Sequence, residues 1–118
     1  MIPYGRHFID DADINSVVDV LRKGWLTQGP KVAEFENAVA EFTGAKYAVA
    51  VSSGTAGLHI ACLAADLGQD KVVYTSSNTF VASANAVIYS GGNPRFCDIE
   101  AETLNLSPDY LEAKLQND

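Results

Sequence analysis

A run of small residues separates two apolar segments of different periodicity. The run is SSGTAG at 52–57, between YAVAVS and LHIACLAADLG. The first amides of a helix have no intrahelical acceptor and carry the positive end of the helix dipole, so a strand-to-helix turn is suited to binding an anion. Gly54 allows close backbone approach, Thr55 offers an amide and a hydroxyl, and Ala56 offers an amide without bulk. These three residues are candidates for a phosphate site.

The same turn has a simpler interpretation. Small residues are also required in a tight strand-to-helix turn when Ser53 or Thr55 caps the helix and the helix packs closely on a sheet. The turn lacks both GxxxxGK[ST] and GxGxxG, which excludes a P-loop and a dinucleotide fingerprint. No Lys or Arg lies between Lys46 and Lys71, so backbone dipoles would hold the anion and any countercharge would come from elsewhere. Both interpretations stay open at this point.

A second polar loop, TSSNTF at 75–80, follows the next apolar segment and ends in an aromatic residue. Ligands of open α/β sheets bind at the carboxyl ends of the strands, where both loops would lie. Beside a phosphate site, Phe80 offers the face on which a flat heterocyclic cofactor stacks. The alternative is that Phe80 packs in the core.

The two loops must be positioned by helices and strands, and the patterns typical of these elements alternate along the chain. Apolar spacing and caps predict helices at about 11–23, from Pro30 to Gly44, and at about 55–67, 79–90 and 108–115. Short apolar segments predict three strands, at Tyr47–Ser52, Lys71–Thr75 and Arg95–Cys97. Residues 47–75 would form a right-handed β-α-β unit. The predicted fold class is α/β with a mainly parallel sheet.

Composition narrows the functional classes. The chain has 118 residues with 15 acidic against 8 basic side chains, a net charge of -7, which excludes general attraction to nucleic acid or anionic lipid. Neither a signal peptide nor an apolar run of about 20 residues is present, so we expect a cytoplasmic protein that does not span a membrane. Cys62 and Cys97 have no metal-ligand spacing, which predicts buried thiols and no metal.

Three ordered motifs carry a family resemblance. WLTQGP at 25–30, AVAVSSGTAGLHIA at 48–61 and NTFVASANAVIYSGGNPRFCDIE at 78–100 resemble the N-terminal third of the DegT/DnrJ/EryC1/StrS aminotransferases, and the resemblance covers essentially the whole chain. It implies part of the large domain of a fold-type I enzyme that depends on pyridoxal 5'-phosphate and forms its active site at a homodimer interface. Residues 1–30 would be an N-terminal helix and substrate-entrance loop, and residues 31–118 the N-terminal part of the cofactor-binding large domain.

The resemblance also implies roles for individual residues. The family's phosphate cradle falls on Gly54, Thr55 and Ala56, and its ring-stacking aromatic residue falls on Phe80. Five residues become candidates for substrate contact: Tyr4, Trp25, Leu26, Thr27 and Gly29. For Trp25, simple packing is an equally good interpretation.

The implied reaction is transamination of a nucleotide sugar, with pyridoxamine phosphate as the intermediate cofactor form. The resemblance is strongest to members that aminate C4 of a UDP-linked 4-keto-6-deoxy-N-acetylhexosamine, in the pseudaminic acid pathway, with glutamate as donor. Such enzymes use a lysine to hold the cofactor and move a proton, and an Asp to keep the pyridine nitrogen protonated. Neither is identifiable in residues 1–118, so we predict no catalytic residue here and expect this segment alone to be inactive and poorly folded.

Two other functions remain as alternatives. One is a sugar 3-dehydratase, in which histidine replaces the lysine, or another regiospecific sugar aminotransferase. The other is a non-catalytic α/β module that binds a phosphorylated ligand. His59, inside the helix that follows the cradle, is expected to be a structural or interface residue, and His7 to lie on the surface.

Overall fold

The computed structural model describes residues 2–117 and contains five helices and two strands over that range. They are α1 (Asp11–Lys23), α2 (Pro30–Thr43), α3 (Gly54–Ala64), β1 (Val72–Ser76), α4 (Ala82–Tyr89), β2 (Asn93–Cys97) and α5 (Pro108–Asn117). The chain divides into two compact units, Met1–Ala50 and Val51–Asp118. The boundary predicted at residue 30 separates two functional roles and not two compact units, and it stays a prediction.

Helix α1 forms where it was predicted because both of its ends are capped. The Asp10 carboxylate accepts from the Asp13 amide at 3.0 Å, and the Asp13 carboxylate accepts from the Asp10 amide at 3.1 Å, a reciprocal capping box. Gly24 ends the helix with φ 79°, a left-handed conformation that a glycine adopts without steric cost. These interactions are local in sequence, which makes the helix predictable.

Helix α2 also matches the prediction, but the strand predicted after it is absent. Pro30 occupies the first turn of α2, and Gly44 ends the helix. The prediction of a strand at Tyr47–Ser52 is wrong: residues 47–51 have no regular secondary structure. No other segment in residues 2–117 forms a ladder with them, and a strand exists only through such a ladder. The amide of Ala50 instead donates to the Glu36 carboxylate at 2.8 Å.

The second unit contains a parallel β-α-β arrangement. Strands β1 and β2 pair in parallel, in a register running from Val72 opposite Asn93 to Ser76 opposite Cys97. Helix α4 connects them and contacts both strands, and α3 contacts α4. The α/β class with a parallel sheet is therefore confirmed, with two strands rather than the three predicted. The β-α-β unit is formed by residues 72–97 and not by residues 47–75.

Small side chains allow α4 to lie close to the sheet. The buried apolar residues among those described are Ala82, Ala84, Ala86, Val87 and Cys97. At Gly92 a Cβ atom would lie 3.0 Å from both the Leu67 carbonyl oxygen and a Val87 methyl group, so only glycine fits without displacement. The core of this unit is consequently small. Of the two thiols predicted to be buried, Cys97 is buried within this core and Cys62 is only half-buried.

Helix α3 ends earlier than predicted. The pattern extended to residue 67, whereas the helix ends at Ala64 and Asp66 adopts φ 55°. The Leu67 amide donates to the Cys62 carbonyl at 3.0 Å, which turns the chain toward β1. Within residues 2–117, no helix has both the length and the apolar character that crossing a bilayer requires.

Candidate cofactor site

The N-terminus of α3 presents two unbonded amides. Ser53 is the N-cap, and its hydroxyl accepts from the Ala56 amide at 3.2 Å while its carbonyl accepts from the Gly57 amide at 3.1 Å. The amides of Gly54 and Thr55 have no acceptor among the described residues. They lie at the positive end of the helix dipole, where an anion is stabilised.

The capped turn and the anion site are therefore compatible interpretations of SSGTAG. Ser53 uses one of the candidate donors, the Ala56 amide, and leaves two free. A bound phosphate would gain the Ala56 amide only when the Ser53 hydroxyl gives it up. Sequence alone offered the cap and the phosphate site as competitors, whereas the observed cap leaves two of the three candidate amides without an acceptor among the described residues.

An open concavity of about 570 Å³ adjoins this turn. Its lining residues are Gly54, Thr55, Gly57, Leu58, Ala61, Phe80 and Ala82. The volume lies in the range of small-molecule and cofactor sites, roughly 300–1,000 Å³. A Cβ atom added to Gly54 would meet no other atom within 4 Å, so the backbone here faces open space. Gly54 and Thr55, two of the three candidates for the phosphate site, thus line the same concavity as Phe80, the candidate for ring stacking. Ala56, the third phosphate candidate, does not line it.

Phe80 is an exposed part of this concavity. Its side chain is 76% exposed, so Phe80 is not a core residue of the described unit, and the packing alternative raised by the sequence is wrong there. An aromatic face beside unbonded helix-start amides is the arrangement that a phosphorylated heterocycle fits, with the amides on the phosphate and the ring on the aromatic face.

Polar contacts hold the loop that precedes Phe80. The Ser77 amide donates to the Cys97 carbonyl at 2.9 Å, and the Asn78 amide donates to the Ser76 hydroxyl at 3.1 Å. The hydroxyls of Thr79 and Ser83 lie 2.9 Å apart. Helix α4 begins after this loop, at Ala82, and not at residue 79 as predicted. Sequence reasoning missed the last pair, although its spacing of four residues across a helix start is a usable signal.

The substrate candidates of the N-terminal segment lie in the other compact unit. Tyr4 is fully exposed, and Trp25 and Leu26 are each 65% exposed. Thr27 is exposed and Gly29 is half-buried. The Trp25 ring lies against Gly29, and it lines a small cavity of about 70 Å³ together with Val20, Lys23, Pro30 and Lys31. Trp25 therefore has a packing contact and an exposed face.

We expect Gly29→Ala to displace Trp25. Gly29 has an ordinary φ of -76°, so the requirement for glycine is space: a Cβ atom would lie 2.8 Å from the Trp25 carbonyl oxygen and 3.1 Å from the indole Cδ1. Overpacking of this kind costs about 1–3 kcal/mol. Because Trp25 is the only tryptophan in residues 1–118, the fluorescence maximum of the 118-residue chain should shift. Gly5→Ala is the control, since a Cβ there meets nothing within 4 Å, and equal spectra for both variants would contradict the prediction.

None of the five lysines lines the concavity within the described residues. Lys23 pairs with Asp19 at 3.4 Å, and Lys31 pairs with Glu34. Lys46 and Lys114 lie over the rings of their neighbouring tyrosines, Tyr47 and Tyr110.

The two histidines also lie away from the concavity's lining. His59 makes an edge-on contact with Tyr89, with ring centroids 5.6 Å apart, which is the structural role expected of it. His7 is exposed, as predicted.

Unbonded helix-start amides and an exposed aromatic residue around one concavity form an arrangement in this α/β unit that suits a phosphorylated ligand. The sequence pattern of the DegT/DnrJ/EryC1/StrS aminotransferase family matches residues 7–118. The chain therefore belongs to that family.

Individual relatives agree with this assignment. The chain is 46% identical over 112 residues to the spore coat polysaccharide biosynthesis protein SpsC of Bacillus subtilis, covering 95% of the chain and 29% of that protein. It is 44% identical over 103 residues to the UDP-4-amino-4-deoxy-L-arabinose--oxoglutarate aminotransferase of Shewanella sediminis, covering 87% of the chain and 26% of that protein. The chain thus spans under a third of the length of these relatives.

Solved structures show the same fold. Spr1654 from Streptococcus pneumoniae in its PLP-form superposes with a TM-score of 0.89 at 34% identity, over 95% of this chain and 29% of that one. The predicted fold-type I architecture is confirmed by this similarity, as is the family's cofactor, pyridoxal phosphate. The free amides of Gly54 and Thr55, the open space at Gly54 and the exposed Phe80 all fit that cofactor.

Proposed function

We propose that the complete gene product is a pyridoxal-phosphate-dependent sugar aminotransferase and that residues 31–118 provide the phosphate end of its cofactor site. The observation that carries the proposal is the single concavity shared by Gly54, Thr55 and Phe80, in a chain that belongs to an aminotransferase family. The lysine that holds the cofactor covalently lies outside residues 1–118 in this proposal.

Each residue at the concavity has a physical task. The amides of Gly54 and Thr55 donate to phosphate oxygens, and the Ala56 amide joins them when the Ser53 hydroxyl rotates away. The Phe80 ring fixes the plane of the heterocycle by stacking. The bound cofactor supplies an electron sink for the carbanion formed at the amino acid Cα. The described residues thus bind and orient the cofactor, and proton transfer belongs to groups elsewhere.

The proposed substrates are glutamate and a nucleotide-linked keto-sugar, aminated at C4 of a UDP-4-keto-6-deoxy-N-acetylhexosamine. Two relatives support the sugar class, the 4-amino position and the glutamate donor: one is named for a UDP-linked 4-amino sugar and oxoglutarate, and the other for polysaccharide biosynthesis. The substrate-entrance role belongs to residues 1–30, through Tyr4, Trp25, Leu26, Thr27 and Gly29. The exposure of Tyr4 and Trp25 leaves their rings available for such contact.

The proposal includes a homodimer in the cytoplasm. Large apolar side chains are exposed on both units, for example Phe42 at 92% and Leu63 at 55%, and such surfaces are covered when further protein associates with them. Cys62 and Cys97 are free thiols, which suits a reducing compartment.

The sugar 3-dehydratase and the non-catalytic binding module are the competing functions. They share the phosphate site with the proposed enzyme, so the site itself does not separate them. They differ in whether glutamate reacts with the bound cofactor and in whether amine appears on the sugar.

The test is a titration of the complete gene product with pyridoxal 5'-phosphate, followed by its absorption spectrum, in competition with inorganic phosphate. We expect saturable binding that phosphate weakens, a visible band that glutamate bleaches, and amine transfer to a UDP-linked 4-keto-sugar in preference to a dTDP-linked one. Binding without bleaching by glutamate would favour the binding module, and bleaching without amine on the sugar would favour the dehydratase. Equal affinity for pyridoxal, which lacks the phosphate, would contradict the phosphate cradle.

A further inference from the structure

Phe80 combines a tethered backbone with an exposed ring. Three of the preceding loop residues, Ser77, Asn78 and Thr79, make polar contacts, yet the Phe80 side chain is 76% exposed. Apolar contacts with the unit's core do not hold the ring in place. Its orientation therefore depends on how firmly the backbone on either side is fixed.

A hydroxyl bridge spans Phe80. The oxygen atoms of Thr79 and Ser83 lie 2.9 Å apart, and the Ser83 amide donates to the Phe80 carbonyl at 3.0 Å. Together these two bonds close a small loop around Phe80. Helix α4 has no side-chain cap at its N-cap residue Val81, so the bridge is the side-chain link across the helix start.

We propose that Thr79 and Ser83 are positioning residues that orient the Phe80 ring for stacking on the phosphorylated heterocycle. This inference rests on the proposed function. Aromatic pairs are favourable in offset or edge-on geometries, so the energy of the contact depends on ring orientation. Fixing that orientation before binding removes part of the entropic cost of ordering the side chain when the ligand arrives.

The experiment removes one hydroxyl with little change in shape. Thr79→Val in the complete gene product is expected to weaken pyridoxal 5'-phosphate binding by about 2- to 10-fold, the range that one aromatic contact contributes. The circular dichroism of the bound cofactor should fall, because that signal reports the orientation of the ring. Inhibition by inorganic phosphate should be unchanged, since phosphate needs only the α3 amides.

Three further variants separate positioning from general damage. Thr79→Ser keeps the hydroxyl and should restore both affinity and circular dichroism. The double variant Thr79→Val/Ser83→Ala should lose no more than either single variant, because both remove the same bridge. Ser90→Ala is the matched control: it removes a hydroxyl at the other end of α4, where Ser90 donates to the Ala86 carbonyl at 2.9 Å, and should leave binding unchanged.

The outcomes distinguish failure of this inference from failure of the proposed function on which it rests. Wild-type affinity and circular dichroism in Thr79→Val, or fully additive losses in the double variant, would overturn the positioning role and leave the proposed function intact. Weakened inhibition by phosphate in Thr79→Val would also overturn it, because the damage would then extend beyond Phe80. Failure of the wild-type protein to bind the cofactor would overturn both.

Discussion

Ser53→Asp is expected to weaken binding of pyridoxal 5'-phosphate and of inorganic phosphate by at least about tenfold. The side chain at this position caps α3 through the Ala56 amide, directly beside the free amides of Gly54 and Thr55. A carboxylate there would meet a phosphate dianion at short range. Unit charges about 4 Å apart interact by about 1–4 kcal/mol near a protein surface, depending on the local dielectric.

The same substitution should leave α3 stable. Asp and Ser are comparably good N-cap residues, and a negative charge at a helix N-terminus is favourable. The free energy of unfolding is therefore expected to stay within about 0.5 kcal/mol of wild type, measured by chemical denaturation. Separation of binding from stability is the signature of an anion site at this turn.

Ser53→Asn is the matched control for charge. Asn caps as well as Ser but carries no charge, so both affinities should stay within about threefold of wild type. Calorimetric titration with inorganic phosphate measures the effect directly. Equal phosphate affinity in the Asp and Asn variants would place the anion elsewhere than at SSGTAG.

Val87→Ala is expected to destabilise the second unit by about 2–3 kcal/mol. Val87 is 2% exposed, and it is the largest fully buried side chain among the described residues, followed by Cys97. Removing two carbon groups costs about 0.8 kcal/mol each in transfer free energy, and the cavity left against Gly92 adds to the loss. Because the 118-residue segment alone is expected to be poorly folded, a loss of this size should leave it largely unfolded.

Ile88→Ala provides the comparison within the same helix. Ile88 is 54% exposed, so its truncation in the 118-residue chain should cost well under half as much. Circular dichroism and limited proteolysis of the two variants of this chain, each compared with wild type, measure the difference in folded fraction. Similar losses for both would mean that Val87 is not central to the core.

Local signals account for most of what the sequence predicted correctly. The ends of α1 and α2 were predictable because Asp10, Gly24, Pro30 and Gly44 act on the backbone within a few residues of themselves. The family resemblance could also be identified from the sequence, because each of its motifs is contiguous in the chain. The resemblance in turn predicted the cofactor that the comparisons support.

Predictions that depend on distant partners were less successful. An apolar segment such as residues 47–51 has strand character only when another strand bonds to it, and within residues 2–117 the Glu36 side chain bonds to its Ala50 amide instead. The predicted start of α4 at residue 79 was early by three residues, because apolar periodicity does not show where the polar loop before Ala82 ends. The exposure of Phe80 likewise depends on what surrounds it in space.

The two unbonded amides at the start of α3 also make the turn observable without any ligand chromophore. Amide protons that lack an acceptor exchange rapidly with solvent, whereas the Ala56 and Gly57 protons, bonded to Ser53, exchange through opening of the cap. Deuterium uptake at Gly54 and Thr55 should therefore be fast in the free protein and slow when phosphate occupies the turn. The two positions proposed to bind the anion would thus also report how fully the turn is occupied.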